Sequence, residues 1–198
     1  MISGLVEEGH LVEEGHMAFQ DHVVRAADEV VGAFPADGGI YAVTFRIDSV
    51  DQDPRLPYAA IGYTTEADAT ASAQQASGAW EARWSYAFFP KTGLEGVRSV
   101  GRDPDGAHAH RREAESAGLW YGDDDEPDDR PEQLVEWFYE VCVAAARHLH
   151  DSGRVVQVLG RPVPVILYDM FDPDAMFRLT SAANPAALVA DFTADAPE

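Results

Sequence analysis

The sequence predicts an α+β fold, a single domain in which a mixed or antiparallel sheet of about four to five strands packs against helices. Three observations predict it. The strand-like segments come in adjacent pairs instead of alternating one by one with helices, which argues against a doubly wound sheet. Tyr41, Val43, Phe45 and Ile47 alternate with Ala42, Thr44 and Arg46, the period-two pattern of a half-buried strand. Leu134, Trp137/Phe138, Val141, Ala145 and Leu149 keep the spacing of a long amphipathic helix.

In chain order, residues 1–16 form a repetitive leader, Leu5-Val-Glu-Glu-Gly-His10 followed by Leu11-Val-Glu-Glu-Gly-His16. It reads as a flexible duplication, or as an upstream start before a true Met17. The folded domain spans 17–195. Phe19, Val23, Ala26/Ala27, Val30 and Phe34 predict a first helix, ended by Pro35 and the Asp37-Gly38-Gly39 turn. Strands follow at Ile40–Ile47 and Tyr58–Tyr63, expected to pair with each other across a loop at 48–57.

Thr64 or Thr65 can cap a helix running to about Ala76, with Thr65 and Asp68 at capping-box spacing. Trp80 and Trp84 have helical spacing whereas Trp84, Tyr86 and Phe88 alternate, so a short helix leading into an extended segment is expected. An irregular acidic insert occupies about 90–130, with a polar helix at 107–119. The long helix begins near Asp129 and Pro131 and ends at Gly153. Val155–Leu159 reads as a short strand, and a second apolar run follows at Pro162–Asp169, whose two prolines argue for an edge position or for a strand beginning after Pro164. Short helices at 173–182 and 185–192 complete the order.

Composition excludes several functions. The 198 residues carry 35 Asp and Glu against 14 Lys and Arg, a formal net charge of −21. Such a surface repels phosphate backbones and anionic lipid, so neither a nucleic acid nor a membrane is the expected partner. The single cysteine, Cys142, rules out an internal disulfide and sits in an apolar helical stretch, where it reads as a buried inert thiol. No apolar run reaches the ~18 residues of a membrane span, and the leader is acidic where a signal peptide is basic, so a cytoplasmic protein is expected. Phosphate-loop, dinucleotide, zinc-protease and nucleophile-elbow motifs are absent, and no cofactor or metal is expected.

Two groups of residues remain as candidates. Six acids in seven residues, Asp123, Asp124, Asp125, Glu126, Asp128 and Asp129, form a solvated loop or an epitope for a basic protein. Asp169 ends an apolar strand and Asp172 follows it, so with the aromatic segment around Trp84 they outline a possible ligand cleft. The bland reading of Asp172 is a helix cap. His108 and His110 read as part of a solvated polar stretch, and His148 and His150 as complements to the dipole at a helix end.

Several of these pieces, Tyr41-Ala-Val-Thr-Phe45, Thr64-Thr65-Glu66, Trp80 and Trp84, the strand ending in Asp169 and the Asn184-Pro185 helix start, resemble a bacterial family catalogued as domain of unknown function 4303. The resemblance covers most of 17–195. It carries over no activity and no catalytic residue. What it implies is an immunity- or adaptor-like role of the kind small acidic bacterial proteins hold beside toxin or secretion systems. The leading expectation is a non-catalytic protein-binding module with an acidic surface. The alternative is a small-molecule-binding protein or enzyme using a cleft at Asp169 and Asp172, and a third source of the acid excess is salt adaptation.

Overall fold

The structure, a computed structural model, describes residues 17–90, 98–125 and 128–194. The leader at 1–16 and the candidate Glu126 lie outside the described residues. The elements are α1 (Phe19–Gly32), β1 (Ile40–Ser49), β2 (Pro57–Thr65), α2 (Glu66–Ser72), α3 (Ala79–Trp84), β3 (Arg98–Val100), α4 (Pro104–Ser116), α5 (Arg130–Asp151), α6 (Arg154–Leu159), β4 (Val165–Asp169), α7 (Ala175–Ala183) and α8 (Ala190–Ala194). The fold is α+β. One mixed sheet has the order β3-β2-β1-β4. Three full strands carry it and the three-residue β3 extends one edge, so the sheet stands at the lower bound of the expected four to five strands, and the fifth is not found among the described residues.

The register follows from the apolar alternation. β1 and β2 pair antiparallel with Phe45 opposite Ile61 and Ser49 opposite Pro57. β4 runs parallel to β1, with Val43 opposite Val165 and Ile47 opposite Asp169. Because side chains alternate across a strand, each strand feeds two cores. Val43, Phe45, Ile47, Ile61, Val165 and Leu167 pack against Phe19 and Val23 of α1 and Phe138, Cys142 and Leu149 of α5. Ile166 and Tyr168 face the other way, into a cluster with Tyr41, Trp84, Phe89, Met176 and Phe192. Each such buried side chain contributes roughly 1.5–3 kcal/mol.

β4 is an edge strand, as its flanking prolines predict, and α7 closes that edge. Asn184 accepts from the Val165 N–H at 2.7 Å and donates to the Val165 carbonyl at 2.7 Å. Thr180 does the same for Leu167, accepting at 3.0 Å and donating at 3.2 Å. Side chains thus stand in for a neighbouring strand along Val165 and Leu167 and cover that part of the edge.

Three local expectations are corrected. Val155–Leu159 is helical, not extended: left-handed Gly153 and Gly160 bracket it, Val155 is buried while Val156 is 48% exposed, and Arg154 binds Asp28 of α1. The segment after α3 is a 3₁₀ turn over Tyr86–Phe88, opened by the Ser85 side chain accepting the Ala87 N–H, and its aromatics stack on the sheet instead of pairing with it. α4 begins at Pro104, three residues before the expected start, because Asp103 caps it by accepting the Gly106 N–H at 3.1 Å.

α4 packs on α1 closely enough to require Gly106. A Cβ there would sit 2.9 Å from His22 Nε2 and 3.0 Å from the Gly101 carbonyl oxygen. His110 follows on the same helix and is only 2% exposed, which corrects the solvated reading for that residue, whereas His108 is exposed. Its ring stacks on Trp137 at 5.0 Å and meets Phe19 edge-on.

Candidate functional site

The acidic loop is built by two arginines. Arg55 lies in the 50–56 connection between β1 and β2, and Arg130 is the first residue of α5. Arg55 bonds Asp53 at 2.8 Å and Asp123 at 2.7 Å, donates to the Tyr121 carbonyl at 3.2 Å, and lies 4.8 Å from the centre of the Tyr121 ring. Arg130 bonds Asp128 at 2.6 Å and Asp125 at 3.0 Å and donates to the Trp120 carbonyl at 3.1 Å. The Arg55 guanidinium holds the Asp53 carboxyl below its usual range, against the opposing effect of burial. Asp125 also accepts the Gly122 N–H at 3.1 Å, tightening the turn.

The five described acids of the run are therefore not equivalent. Asp123, Asp125 and Asp128 are held by cations, whereas Asp124 and Asp129 are exposed and have no cationic partner among the described residues. Asp129 occupies the N-cap position of α5 without a side-chain cap bond. Around this patch six described carboxylates, Asp53 and the five of the loop, face two guanidiniums. The patch is fixed and still negative. Sequence reading missed Arg55, which reaches the loop from 68 positions away, and no local signal marks it.

The second site is a cleft of about 230 Å³ at the carboxyl ends of the parallel neighbours β1 and β4. Ile47, Val135, Phe138, Pro54 and Phe171 supply its apolar walls, and Asp169, Tyr139, Ser49 and Gln52 its polar groups. Asp169 accepts from the Tyr139 hydroxyl at 2.9 Å and from the Phe171 N–H at 2.7 Å. Burial first, then the carboxylates of Asp169, Asp172 and Glu136, push the Tyr139 hydroxyl far above its ordinary range. Asp48 is spoken for: it lies 3.5 Å from Arg46 and accepts from the Tyr58 hydroxyl at 3.1 Å. On the loop wall, Asp51 and Gln52 take left-handed backbone angles, φ 53° and 61°, a strained arrangement for residues with side chains.

The predicted ligand residues separate. Asp169 lines the cleft, while Asp172 does not and accepts the N–H of Ala175, the first residue of α7, at 3.3 Å; the N-cap position itself is Asp174, whose side chain makes no cap bond. Trp84 is 5% exposed inside the second core, edge-on to Tyr41 and Phe192. Tyr139 was the residue to find. It sits beside the apolar stripe of α5, where its neighbour Phe138 dominates the pattern.

Other features are structural. His150 lies 2.9 Å from the Asn184 oxygen and so steadies the residue that closes β4. Cys142 is fully buried and burial pushes its thiol up, leaving it inert. A broader groove of about 590 Å³ between α5 and α7 is bridged by Glu136 and Arg178 at 2.9 Å. Among the described residues no three His, Cys, Asp or Glu side chains gather to hold a metal, and no helix is long and apolar enough to cross a membrane. No family model matches the chain, and no curated protein or solved structure matches it either.

Proposed function

We propose that this chain is a cytoplasmic, non-catalytic binding module that captures a basic protein on the acidic patch around 121–130, as an immunity or adaptor protein does. The observation that supports the reading is the double clasp by Arg55 and Arg130. It fixes a run of acids that would otherwise repel itself into disorder, and leaves Asp124 and Asp129 outward. A patch held in place loses less freedom on binding than a mobile loop. Its charge steers an oppositely charged partner and raises the encounter rate. The resemblance to domain of unknown function 4303 belongs to the same proposal.

The alternative, a small-molecule or catalytic site at Asp169, has the cleft in its favour. Its volume of about 230 Å³ falls below the ~300–1,000 Å³ of typical ligand pockets. Asp172, the second carboxylate that reading needs, does not line the cleft and accepts the Ala175 N–H instead.

Affinity capture from the producing organism's lysate tests the proposal, with the wild-type chain and a D124N/D129N variant as paired baits. A basic protein retained by the wild type, lost from the variant and released by salt is the expected result. The same proteins on both baits would overturn it.

A further inference from the structure

The acidic patch and the Asp169 cleft share a wall. The 50–56 loop sends Asp53 and Arg55 toward the acidic run and Gln52 and Pro54 into the cleft, and α5 begins at Arg130 in the patch and carries Val135, Phe138 and Tyr139 into the cleft. Negative surface is therefore continuous with a recess whose walls are apolar. Phe171, which lines the recess, is 65% exposed, its chain neighbour Met170 is 48% exposed, and Leu56 of the shared loop is 45% exposed. Large apolar groups left in water beside a charged rim mark an interaction surface.

The chemistry of the recess selects the occupant. Its polar end is Asp169, whose oxygens receive only a neutral hydroxyl and a backbone N–H and no cation among the described residues. An anionic ligand is repelled by that carboxylate and by Asp172 and Glu136, and a neutral donor gains from it only the weaker of the two kinds of hydrogen bond. A cation with an alkyl stem satisfies both halves: the stem lies along Ile47, Val135, Phe138 and Phe171, and the charge reaches Asp169. The planar fork of guanidinium suits a carboxylate better than the point charge of ammonium.

We propose that the cleft bounded by Ile47, Gln52, Val135, Tyr139, Asp169 and Phe171 is the anchor pocket for an arginine side chain of the basic partner. The inference rests on the partner-binding reading and gives it a specific contact. Asp124 and Asp129 draw the partner in from a distance, and Asp169 holds one of its side chains once it has docked. Salt-sensitive association and slow release then have separate residues.

n-Butylguanidinium serves as the probe, with neutral n-butylurea of the same shape as its control, in an amide NMR titration of the full chain. The expected result is saturable shifts at Val135, Tyr139 and Phe171 with the cation, and binding at least about tenfold weaker with the urea. D169N, which keeps an acceptor for Tyr139, should bind about tenfold more weakly with its melting temperature retained. F171A, a change at an exposed side chain, should weaken the butyl cation several-fold yet leave guanidinium itself unchanged. D124N/D129N should bind the probe like the wild type. Equal response to cation and urea, or D169N binding as well as wild type, overturns the pocket. A silent probe beside successful partner capture sinks the pocket alone, and a bound probe beside failed capture sinks only the patch.

Discussion

Arg55 binds Asp53 and Asp123 at once, so one side chain ties the β1–β2 connection to the acidic loop. Replacing it with glutamine should free the loop without unfolding the protein. Partly exposed ion pairs are worth about 0–1 kcal/mol, so global stability in urea should fall by less than about 1 kcal/mol. Limited proteolysis should nevertheless cut R55Q first between 121 and 129. An unchanged cleavage pattern would show that Arg55 does not hold the loop.

Asn184→Ala should be among the costliest polar substitutions. It removes both partners of the Val165 backbone and the acceptor of His150. Unsatisfied buried groups cost about 1–3 kcal/mol each, so urea unfolding should show a loss of about 2–3 kcal/mol. N184D is the sharper variant, because it keeps an acceptor for the Val165 N–H but loses the donor to the Val165 and Thr180 carbonyls. It should also destabilise.

Gly106→Ala should destabilise although alanine is the better helix former. Propensity favours the change by about 1 kcal/mol. The new Cβ would meet the Gly101 carbonyl oxygen at 3.0 Å and His22 at 2.9 Å, and relieving backbone contact of that kind costs about 1–3 kcal/mol. Thermal unfolding decides the sign, and a higher melting temperature would mean that α4 moves away from α1 freely.

His110 sets a window of acid sensitivity. Burial lowers its pKa from 6.5 to about 4, and its Nε2 has no hydrogen-bond partner among the described residues. The unfolded chain takes up the proton as pH falls through 6.5, while the folded one stays neutral until about 4. Stability is thus full above 6.5 and declines toward 4 by at most about 3 kcal/mol. Asp28, Asp53 and Glu66, lowered by their arginines with burial opposing, lose their own contribution only near and below the ordinary carboxylate range. Urea unfolding at pH 7 and pH 5 should show the decline in the wild type and a smaller one in H110F.

What could be read from the sequence followed local periodicity. The β1 alternation, the α5 stripe and the Thr65–Asp68 capping box each involve neighbours within a few residues, and each is present. Val155–Leu159 failed because a five-residue apolar run has no period long enough to separate strand from helix, and the bracketing glycines decided it. The site depended on contacts that no local pattern holds. Arg55 finds Asp123 across 68 positions and Tyr139 finds Asp169 across 30. The sequence named the acids of both sites but not the groups that give them their roles.

The central claim concerns how a basic partner arrives. Stopped-flow association of the captured partner with the wild-type chain and with D124N/D129N, between low and high salt, tests it most directly. The account predicts a wild-type association rate that falls at least about tenfold as salt rises, a lower and flatter rate for the variant, and dissociation changed mainly by D169N. An association rate indifferent to salt and to Asp124 and Asp129 would contradict it.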